Sequence, residues 1–424
     1  MATKLLGRTI VAVRGMAEIV RVVSIAAVVT VRHAGRSGAA GDRAARGGAF
    51  VFALVRALGP VYIKLAQLLA AQSGFLSSGF RAELRGAYDR NEAVPFAAVR
   101  RKLEEAYGRP LEQMFDRFDP EPVGSGSVAQ VHRAALRGGE VVAVKLIKPG
   151  AAQSIDSALT AAAVLITLAD RLVPALKPLR LAENFGDVRE ALIGQTDLQA
   201  ERRSQAAIAR LFADSPFLVV PRVHPEACAD GVIAMDYIEG VPLYDDARIH
   251  GDRALLAERM QHAFYTMVYL HGHFHVDPNP GNMLLMADGR LALLDFGMVA
   301  QLSEGDRFAL NLFNYHAVTE QWAQAVEHFL KLFVESAPAV NEEDALWKEI
   351  SAVLASNFGA RSNGWSTAAF LTDAAAVLRT HGLRLRLGMS LLALSLATAE
   401  GILQDLDKEI DFWENARRFV SANA

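Results

Sequence analysis

The segment HVDPNPGNML, residues 275–284, places Asp277 and Asn282 five positions apart between two apolar runs. Asp295 follows Asn282 by thirteen positions, in the run LLDFG. Carboxylate and amide oxygens are ligands that Mg²⁺ prefers in proteins. A further carboxylate beside a phosphate can accept a proton from a hydroxyl group or orient a water molecule. These residues therefore predict chemistry on a phosphate group, with Asn282 and Asp295 on the metal and Asp277 as the catalytic carboxylate.

A second set of residues, which precedes this segment, is suited to binding phosphates. Glycine has no Cβ, so a glycine-rich turn can bring its backbone N–H groups close to phosphate oxygens. The turn GSGS consists of Gly124, Ser125, Gly126 and Ser127, and the run VAVK that follows ends in Lys145. Taken alone, these features are equally explained by an ordinary turn and an edge-strand lysine. Their order, followed by the Asp-x₄-Asn loop and Asp-Phe-Gly, is that of a kinase ATP site.

Two further parts of such a site have candidates in the sequence. A lysine near phosphates needs a carboxylate to orient it, and Glu201 in QTDLQAERR is the candidate. From the sequence alone, a solvent-exposed helix face explains that charged segment equally well. The strand end MDYIEG is the candidate hinge, where backbone groups at Asp236 and Ile238 would bind an adenine edge. An ordinary strand end is the alternative there.

The string HGHFH offers a competing metal site. His271, His273 and His275 alternate along the chain, so on a strand they would share one face and could bind zinc. No His-Glu-x-x-His pattern accompanies them. The neighbouring magnesium-type residues account for the site better, and a structural role is therefore predicted for most of these histidines.

The hydrophobic pattern predicts the elements that must position these residues. It is helical over 50–120 and, apart from the loop at 275–284 and the short strands beside it, again after residue 240. Strands are predicted at 128–135, 140–147, 217–223 and 231–237, and helices at 151–173 and near 183–213. A small strand-rich lobe followed by a helical lobe is a two-lobed α+β fold.

Four segments follow from this pattern. They are an amphipathic helix with a flexible linker (1–48), a helical extension (49–120), a strand-rich N-lobe with a helical insert (121–240) and a helical C-lobe (241–424). The formal charge of −3 gives no electrostatic case for nucleic-acid binding. The single cysteine, Cys228, excludes an intrachain disulfide and a Cys-based zinc site, which fits a reducing compartment.

The apolar stretch at 10–31 has two interpretations. Arg14, Glu18 and Arg21 recur at helical spacing, so on a helix they would form one polar stripe. The uninterrupted apolar part is shorter than the roughly 20 residues that a membrane-spanning helix needs, and the charges argue against a signal peptide. The helix either packs on the protein's own core or lies in a membrane interface. The apolar run at 388–403 contains Glu400 and predicts a packed helix.

With these residues assembled, the chain resembles the UbiB family of atypical protein-kinase-like proteins, named for bacterial ubiquinone biosynthesis. HVDPNPGNML is similar to that family's His-Ala-Asp-Pro-His-Pro-Gly-Asn loop, and SVAQVHRA to its Ser-(Ile/Val)-Ala-Gln-Val segment. LGPVYIKLAQ resembles its Lys-x-Gly-Gln signature, and QTDLQAER its Glu-x-Asp helix. The resemblance runs from about residue 55 to 335.

The resemblance implies a kinase-like fold with a helical extension folded over the active site, and ATP with Mg²⁺ as cofactors. It implies an ion pair between Lys145 and Glu201. Lys64, Gln67 and Asp197 would be the extension residues of the family. The predicted partners are a lipid or quinone precursor and other biosynthetic proteins. A peripheral membrane contact at the cytoplasmic face of the inner membrane and a second copy in a homodimer are also predicted.

This sequence departs from the family pattern at several positions. Ala66 replaces the signature glycine, Gln195 replaces the Glu of Glu-x-Asp, and Asn279 replaces the second His of the catalytic loop. GSGS stands where the family has an Ala-rich loop and is closer to an ordinary kinase phosphate loop. No Ala-Pro-Glu element or long activation segment follows Gly297.

These features predict an ATP- and Mg²⁺-dependent kinase-like ATPase or small-molecule kinase in quinone or related lipid metabolism. Two alternatives stay open. The GSGS turn favours a protein serine/threonine kinase, which the missing activation segment opposes. Gln195 and Ala66 favour a nucleotide-gated pseudokinase that acts as a scaffold for a biosynthetic complex.

Overall fold

The structure is a computed structural model of the 424-residue chain. It describes residues 16–30, 53–73, 92–172, 181–243, 249, 251–358 and 366–423. The described residues fall into two compact units. The first unit lies within Met1–Gly138, Val144–Asp197 and Ala229–Val232, and the second within Gly139–Ala143, Leu198–Cys228 and Ile233–Ala424.

Helices make up most of the described residues. In the first unit they are α1 (16–30), α2 (53–58), α3 (Pro60–Ser73), α4 (Phe96–Tyr107), α5 (Ala151–Leu172) and α6 (Leu181–Gly194). In the second unit they are α7 (Leu198–Leu211), α8 (Arg253–Tyr265), α9 (Glu304–Val318), α10 (Trp322–Phe333), α11 (Ala345–Phe358), α12 (Thr367–Thr380), α13 (Leu387–Leu406) and α14 (Phe412–Asn423).

The strands are β1 (Phe115–Ser125), β2 (Ala129–Leu136), β3 (Val141–Ile147), β4 (Leu218–Val219), β5 (Val232–Asp236), β6 (Val241–Pro242), β7 (His273–His275), β8 (Met283–Leu285), β9 (Leu291–Leu293) and β10 (Val299–Gln301). They form a sheet in the order β1-β2-β3-β5, a second sheet in the order β4-β9-β8-β6, and the antiparallel pair β7-β10. Helices with small sheets of this kind constitute the predicted α+β fold.

The predicted hairpin at 128–147 is confirmed. Gly138 and Gly139 have φ values of 120° and 85°, which non-glycine residues rarely adopt, so the Gly-Gly pair makes the turn between β2 and β3. Two expectations were wrong. Residues 115–120 form strand rather than helix, because Pro120 and Pro122 cannot lie in a helix interior. The helix near 183–213 is two helices, α6 and α7, separated by a turn at 195–197.

In the first unit, α3 packs against α5 and α6 and buries Leu65 and Leu68. Helix α1 buries Val22 and Val29 and also makes polar contacts with this group. The Tyr62 hydroxyl donates to Glu18 (3.0 Å), and Arg21 donates to the carbonyl of Leu58 (3.0 Å) and to Glu18. Residues 10–15 and 31 of the predicted stretch, Arg14 included, lie outside the described residues.

One described helix, α5, is long and apolar enough to cross a membrane by length and composition. Its first half is buried at Ile155, Ala158 and Leu159, as in the core helix of a folded domain. Its last two turns expose Val164, Leu168 and Leu172. The run at 388–403, predicted to be a packed helix, lies within α13, where Leu392, Ile402 and Leu403 are buried.

The core of the second unit is a contiguous cluster of buried apolar side chains. It contains Phe264 of α8, Met283 and Leu293 of the β8–β9 hairpin, and Leu403 and Leu406 of α13. Burial of each such side chain contributes about 1.5–3 kcal/mol to stability. The loop at 275–284 is thus carried on strands that are fixed by this core.

Candidate active site

A short β-hairpin brings the two predicted metal ligands together. In this hairpin Met283 of β8 pairs with Leu293 of β9, so Asn282 and Leu294 meet at its open end. The N–H of Leu294 donates to the carbonyl of Asn282 (2.9 Å), and the Asn282 amide Nδ2 donates to Oδ2 of Asp295 (3.2 Å). The twelve residues between Asn282 and Asp295 are therefore the strands and turn that join them.

The loop between Asp277 and Asn282 is held by its own turn chemistry. Pro280, Gly281 and Asn282 form one 3₁₀ turn, and Asn279 caps it, because its Oδ1 accepts from the N–H of Gly281 (2.8 Å). The N–H of Asn279 also donates to the carbonyl of Asp277 (2.7 Å). The departure at 279 is therefore a capping residue, which a sequence comparison with histidine does not reveal.

His275 ties the catalytic loop to Asp295. Its side chain is 1% exposed. The N–H of Asp277 donates to Nδ1 (3.1 Å), so Nδ1 carries no proton and Nε2 donates to the carbonyl of Asp295 (2.7 Å). Both ring nitrogens are thus used by backbone groups. This agrees with the structural role predicted for the histidines.

A serine that is distant in sequence binds the backbone of His275. Ser395 of α13 is buried, and its hydroxyl donates to the carbonyl of His275 (2.6 Å). Sequence reasoning missed this contact, since the two residues are 120 positions apart. A buried serine in an otherwise apolar helix was the available signal.

Glu201 is buried in the first turn of α7 and lies against the Asp-Phe-Gly turn. One carboxylate oxygen accepts from the N–H of Phe296 (3.4 Å). A Cβ placed on Gly297 would lie 3.5 Å from both Glu201 Oε2 and Asp295 Oδ1, so the two carboxylates flank the same glycine. The Gly297 N–H donates to Asp295 (3.3 Å). The alternative of a solvent-exposed face is excluded for Glu201 itself.

These residues fit a magnesium ion. The Asn282 amide and the Asp295 carboxylate are in contact and offer hard oxygen donors, which Mg²⁺ prefers over nitrogen or sulfur. Asp277 is half-buried at the start of the same loop. The predicted ligands and the catalytic carboxylate therefore belong to one set of short hydrogen-bonded segments in the second unit.

The glycine-rich turn and Lys145 belong to the first unit. Gly124 and Ser125 end β1, and the N–H of Gly126 donates to the carbonyl of Ala129 (2.9 Å), which closes the turn. Gly126 and Ser127 are exposed. Lys145 lies half-buried in β3 between buried neighbours.

Two residues that sequence reasoning missed fix the segment beside this turn. Lys148 donates to the carbonyls of Gly126 (2.7 Å) and Glu92 (2.9 Å), and burial lowers its pKa. Gln130 is fully buried, accepts from the N–H of Val94 (2.8 Å) and donates to its carbonyl (3.3 Å). The Gln in SVAQV thus binds the backbone of Val94 rather than pointing at a phosphate, and its position in the motif was the available signal.

The extension residues are placed but their roles stay predictions. Lys64 is half-buried in α3, and the side chain of Gln67 lies outside the described residues. Asp197 is exposed and immediately precedes α7, with Gln195 two positions before it in the turn.

The candidate hinge begins at the end of β5. The N–H of Asp236 donates to the carbonyl of Arg222 (2.9 Å), and its carboxylate accepts from His224 Nε2 (2.8 Å). Ile238 is half-buried two residues later. A Cβ on Gly240 would lie 2.8 Å from Leu284 and from the carbonyl of Leu285, so only glycine fits where the chain crosses β8. The adenine role of Asp236 and Ile238 stays a prediction.

Comparison with known proteins identifies the family. The model of the ABC1 atypical kinase-like domain matches residues 87–329, which is more than half of the chain. The chain belongs to the UbiB family of ABC1 atypical kinase-like proteins. It is 30% identical over 374 residues to a probable protein kinase UbiB of Azotobacter vinelandii, covering 86% of this chain and 68% of that relative. A probable protein kinase UbiB of Pseudomonas paraeruginosa is 29% identical over 372 residues, with 86% and 69% covered.

A solved structure supports the fold of this UbiB-family chain. The Rv3197–erythromycin complex from Mycobacterium tuberculosis matches with a TM-score of 0.51 and 20% identity, covering 81% of this chain and 90% of that one. The predicted two-lobed, protein-kinase-like α+β fold is confirmed. The catalytic roles of the loop at 275–284 and of the Asp-Phe-Gly turn stay predictions.

Proposed function

We propose that this UbiB-family protein is an ATP- and Mg²⁺-dependent ATPase or small-molecule kinase in isoprenoid-quinone or related lipid metabolism. The observation that carries the proposal is the Asn282–Asp295 pair, assembled by the β8–β9 hairpin and joined to Asp277 through His275. The link to quinone metabolism rests on the family and on the name UbiB borne by its relatives.

Each residue has a specific task in this proposal. Asn282 and Asp295 would hold the magnesium ion, which when bound neutralises the charge of the nucleotide phosphates. Asp277 accepts a proton from the attacking hydroxyl group or orients a water. Lys145 would bind the phosphates, and backbone N–H groups of the GSGS turn other than that of Gly126 would donate to them. Glu201, held at the Asp-Phe-Gly turn, would be the carboxylate partner of Lys145 that the family resemblance implies.

The region after Asp-Phe-Gly argues for a small-molecule acceptor or water rather than a protein. Gly297 is followed by β10 (Val299–Gln301), and α9 begins at Glu304 with Ser303 as its N-cap. No room is left in this stretch for the long activation segment that supports peptide docking in protein kinases. The relatives' names nevertheless include protein kinase. Transfer of labelled phosphate from ATP to a protein, abolished by Asp277→Asn, would establish that alternative.

The main test is Mg-ATP binding and turnover by the purified chain, with and without liposomes. We expect Asp295→Asn to weaken Mg²⁺-dependent nucleotide binding at least tenfold. Asp277→Asn should retain binding and lose turnover. Asp288→Asn is the matched control, since Asp288 lies in the turn of the same hairpin and is exposed. Equal binding by Asp295→Asn and the control would refute the metal assignment. Wild-type binding without turnover, even with lipid present, would favour the scaffold alternative.

The same protein is proposed to contact a lipid surface through α1. Val22 and Val29 of α1 are buried, whereas Met16 (65%), Val20 (62%), Val23 (55%) and Val28 (51%) on the opposite side of the helix are exposed, so α1 presents a second apolar face to the outside. An exposed apolar helix face followed by an arginine-rich segment (32–48) is typical of helices that lie in a membrane interface. We propose that this surface is the cytoplasmic face of the inner membrane, as the family resemblance implies.

Liposome flotation tests the membrane contact. The double substitution Val20→Glu and Val23→Glu places charge on the exposed apolar face and should abolish flotation with anionic liposomes. Thr319→Glu with Ser356→Glu is the control, because both residues are polar and exposed and lie in the second unit, outside α1. Flotation that is unchanged by the first pair, or lost equally in both, contradicts the proposed contact face.

A further inference from the structure

The second unit contains a cavity of about 370 Å³ among its helices. Residues of the helices from α8 to α14, together with Tyr269 and Leu270, form its walls. Protein interiors are close-packed, and the cost of an empty apolar space rises with its volume. A cavity of this volume is within the size range of small-molecule sites, which is about 300–1,000 Å³. The cavity is therefore a candidate binding site for a small molecule.

Aromatic side chains make up much of the wall. Phe313 of α9 is in ring contact with Phe333, Phe358 and Phe370, at centroid distances of 5.4, 5.8 and 6.2 Å. On another side, the Tyr265 ring lies 5.5 Å from that of Phe419 and 5.4 Å from that of Tyr269. Aromatic faces and edges favour a flat ring over a flexible chain or a hydrated polar ligand.

Few polar groups reach this wall, and one of them lacks a partner. The Asn314 amide Nδ2 is buried and, among the described residues, makes no hydrogen bond. Glu400 is occupied by the N–H (2.9 Å) and hydroxyl group of Thr367. Burial, reinforced by Glu400, raises the pKa of Tyr269 to about 12 against the effect of the nearby Asn314 amide, so the phenol stays neutral. An unpaired buried donor is costly, and an acceptor on a ligand would remove that cost.

The cavity opens beside α9. Phe308 and Tyr315 belong to its lining and are also 64% and 49% exposed. They lie seven residues apart, on one face of the helix. Large apolar side chains at the surface are unfavourable in water, and here they mark the entrance for an apolar molecule.

We propose that this cavity binds an apolar ring compound that carries a carbonyl-type hydrogen-bond acceptor. The ring packs against the aromatic wall, and the carbonyl oxygen accepts a hydrogen bond from Asn314 Nδ2. The inference goes beyond the nucleotide chemistry proposed above and does not depend on it, since every residue used here lies outside the catalytic and Asp-Phe-Gly loops.

Two matched probes test this assignment on the full chain. They are 2,3-dimethyl-1,4-naphthoquinone, which has two carbonyl acceptors, and 2,3-dimethylnaphthalene, which has none. The methyl groups block addition of the Cys228 thiol to the quinone ring. Isothermal titration should show wild-type protein binding the quinone at least tenfold more tightly than the hydrocarbon. Failure of the quinone to bind, or equal affinity for the two probes, would overturn the proposal.

Two variants and one control complete the experiment. Asn314→Leu should bind both probes with affinities within about threefold of each other. Leu396→Trp fills the cavity from α13 and should bind neither. Asn311→Leu is the control: Asn311 also lines the cavity, but its Nδ2 already donates to the carbonyl of Tyr269 (3.0 Å), so the preference for the quinone should persist. Binding of the quinone that Leu396→Trp leaves unchanged places the probe elsewhere and refutes the assignment.

Discussion

Replacement of His275 by Phe isolates the contribution of the imidazole to the catalytic loop. The ring volume and the burial are nearly retained, while the partners of the Asp277 N–H and the Asp295 carbonyl are removed. A buried backbone group that loses its partner costs about 1–3 kcal/mol, so two such groups should lower the free energy of unfolding by about 2–6 kcal/mol. Because Asp295 is no longer tied to the loop, we also expect at least tenfold weaker binding of Mg-ATP.

Urea unfolding followed by tryptophan fluorescence measures this effect in the appropriate unit, since all four tryptophans lie in the part of the sequence assigned to the second unit. His273→Phe is the matched control on the same strand. His273 is half-buried, and its Nδ1 lies 3.0 Å from the carbonyl of His271. Its loss should cost less than about 1 kcal/mol. If His275→Phe is no less stable than His273→Phe, the proposed structural role of His275 is wrong.

Three further predictions concern other parts of the structure. Asn279→Ala should lower the free energy of unfolding by about 1 kcal/mol through loss of the cap, whereas Asn279→Ser should retain most of it in the same urea assay. Gly240→Ala should lower the free energy of unfolding by about 1–3 kcal/mol, because the added Cβ would overlap Leu284. Gly388→Ala in α13, where a Cβ has open space, should be neutral or slightly stabilising. Equal melting temperatures of the two variants would contradict this prediction. Burial lowers the pKa of His132 below 6.5, so as the pH falls the unfolded chain takes up a proton at this residue before the folded chain does, and the free energy of unfolding should fall below about pH 6.5. His132→Gln should show a shallower fall of stability with pH, and an unchanged slope would refute this prediction.

The residues of the catalytic loop could be predicted because their contacts are local. Asn282 and Asp295 flank a short hairpin, so their separation in sequence already encodes their meeting in space. The polar residues of 275–284 could be assigned for the same reason. The capping role of Asn279 was beyond sequence reasoning, since it depends on the φ and ψ angles of the turn.

Contacts between distant segments could not be predicted. The Ser395–His275 bond joins residues 120 positions apart, and nothing in the apolar pattern of α13 indicates its partner. The pattern of α1 was also ambiguous, because the usual assumption places polar residues toward water. Here Glu18 binds Tyr62, and apolar residues lie on both faces, since Val22 and Val29 are buried and Met16 and Val20 are exposed. Strand β1 was missed because its bulged register with β2 breaks the simple alternation of a strand.

The Ser395–His275 hydrogen bond shows that the segment matched by the family model is shorter than the part of the chain that supports the candidate site. The family model ends at residue 329, yet α13 lies beyond it and supports the catalytic loop. The same helix contributes Leu403 and Leu406 to the core that holds Met283 and Leu293. A premature stop codon before position 395 would therefore leave every nucleotide-site residue in the gene product while removing the support that positions them. A mutation far downstream in the gene would thus impair the active site without changing any of its residues.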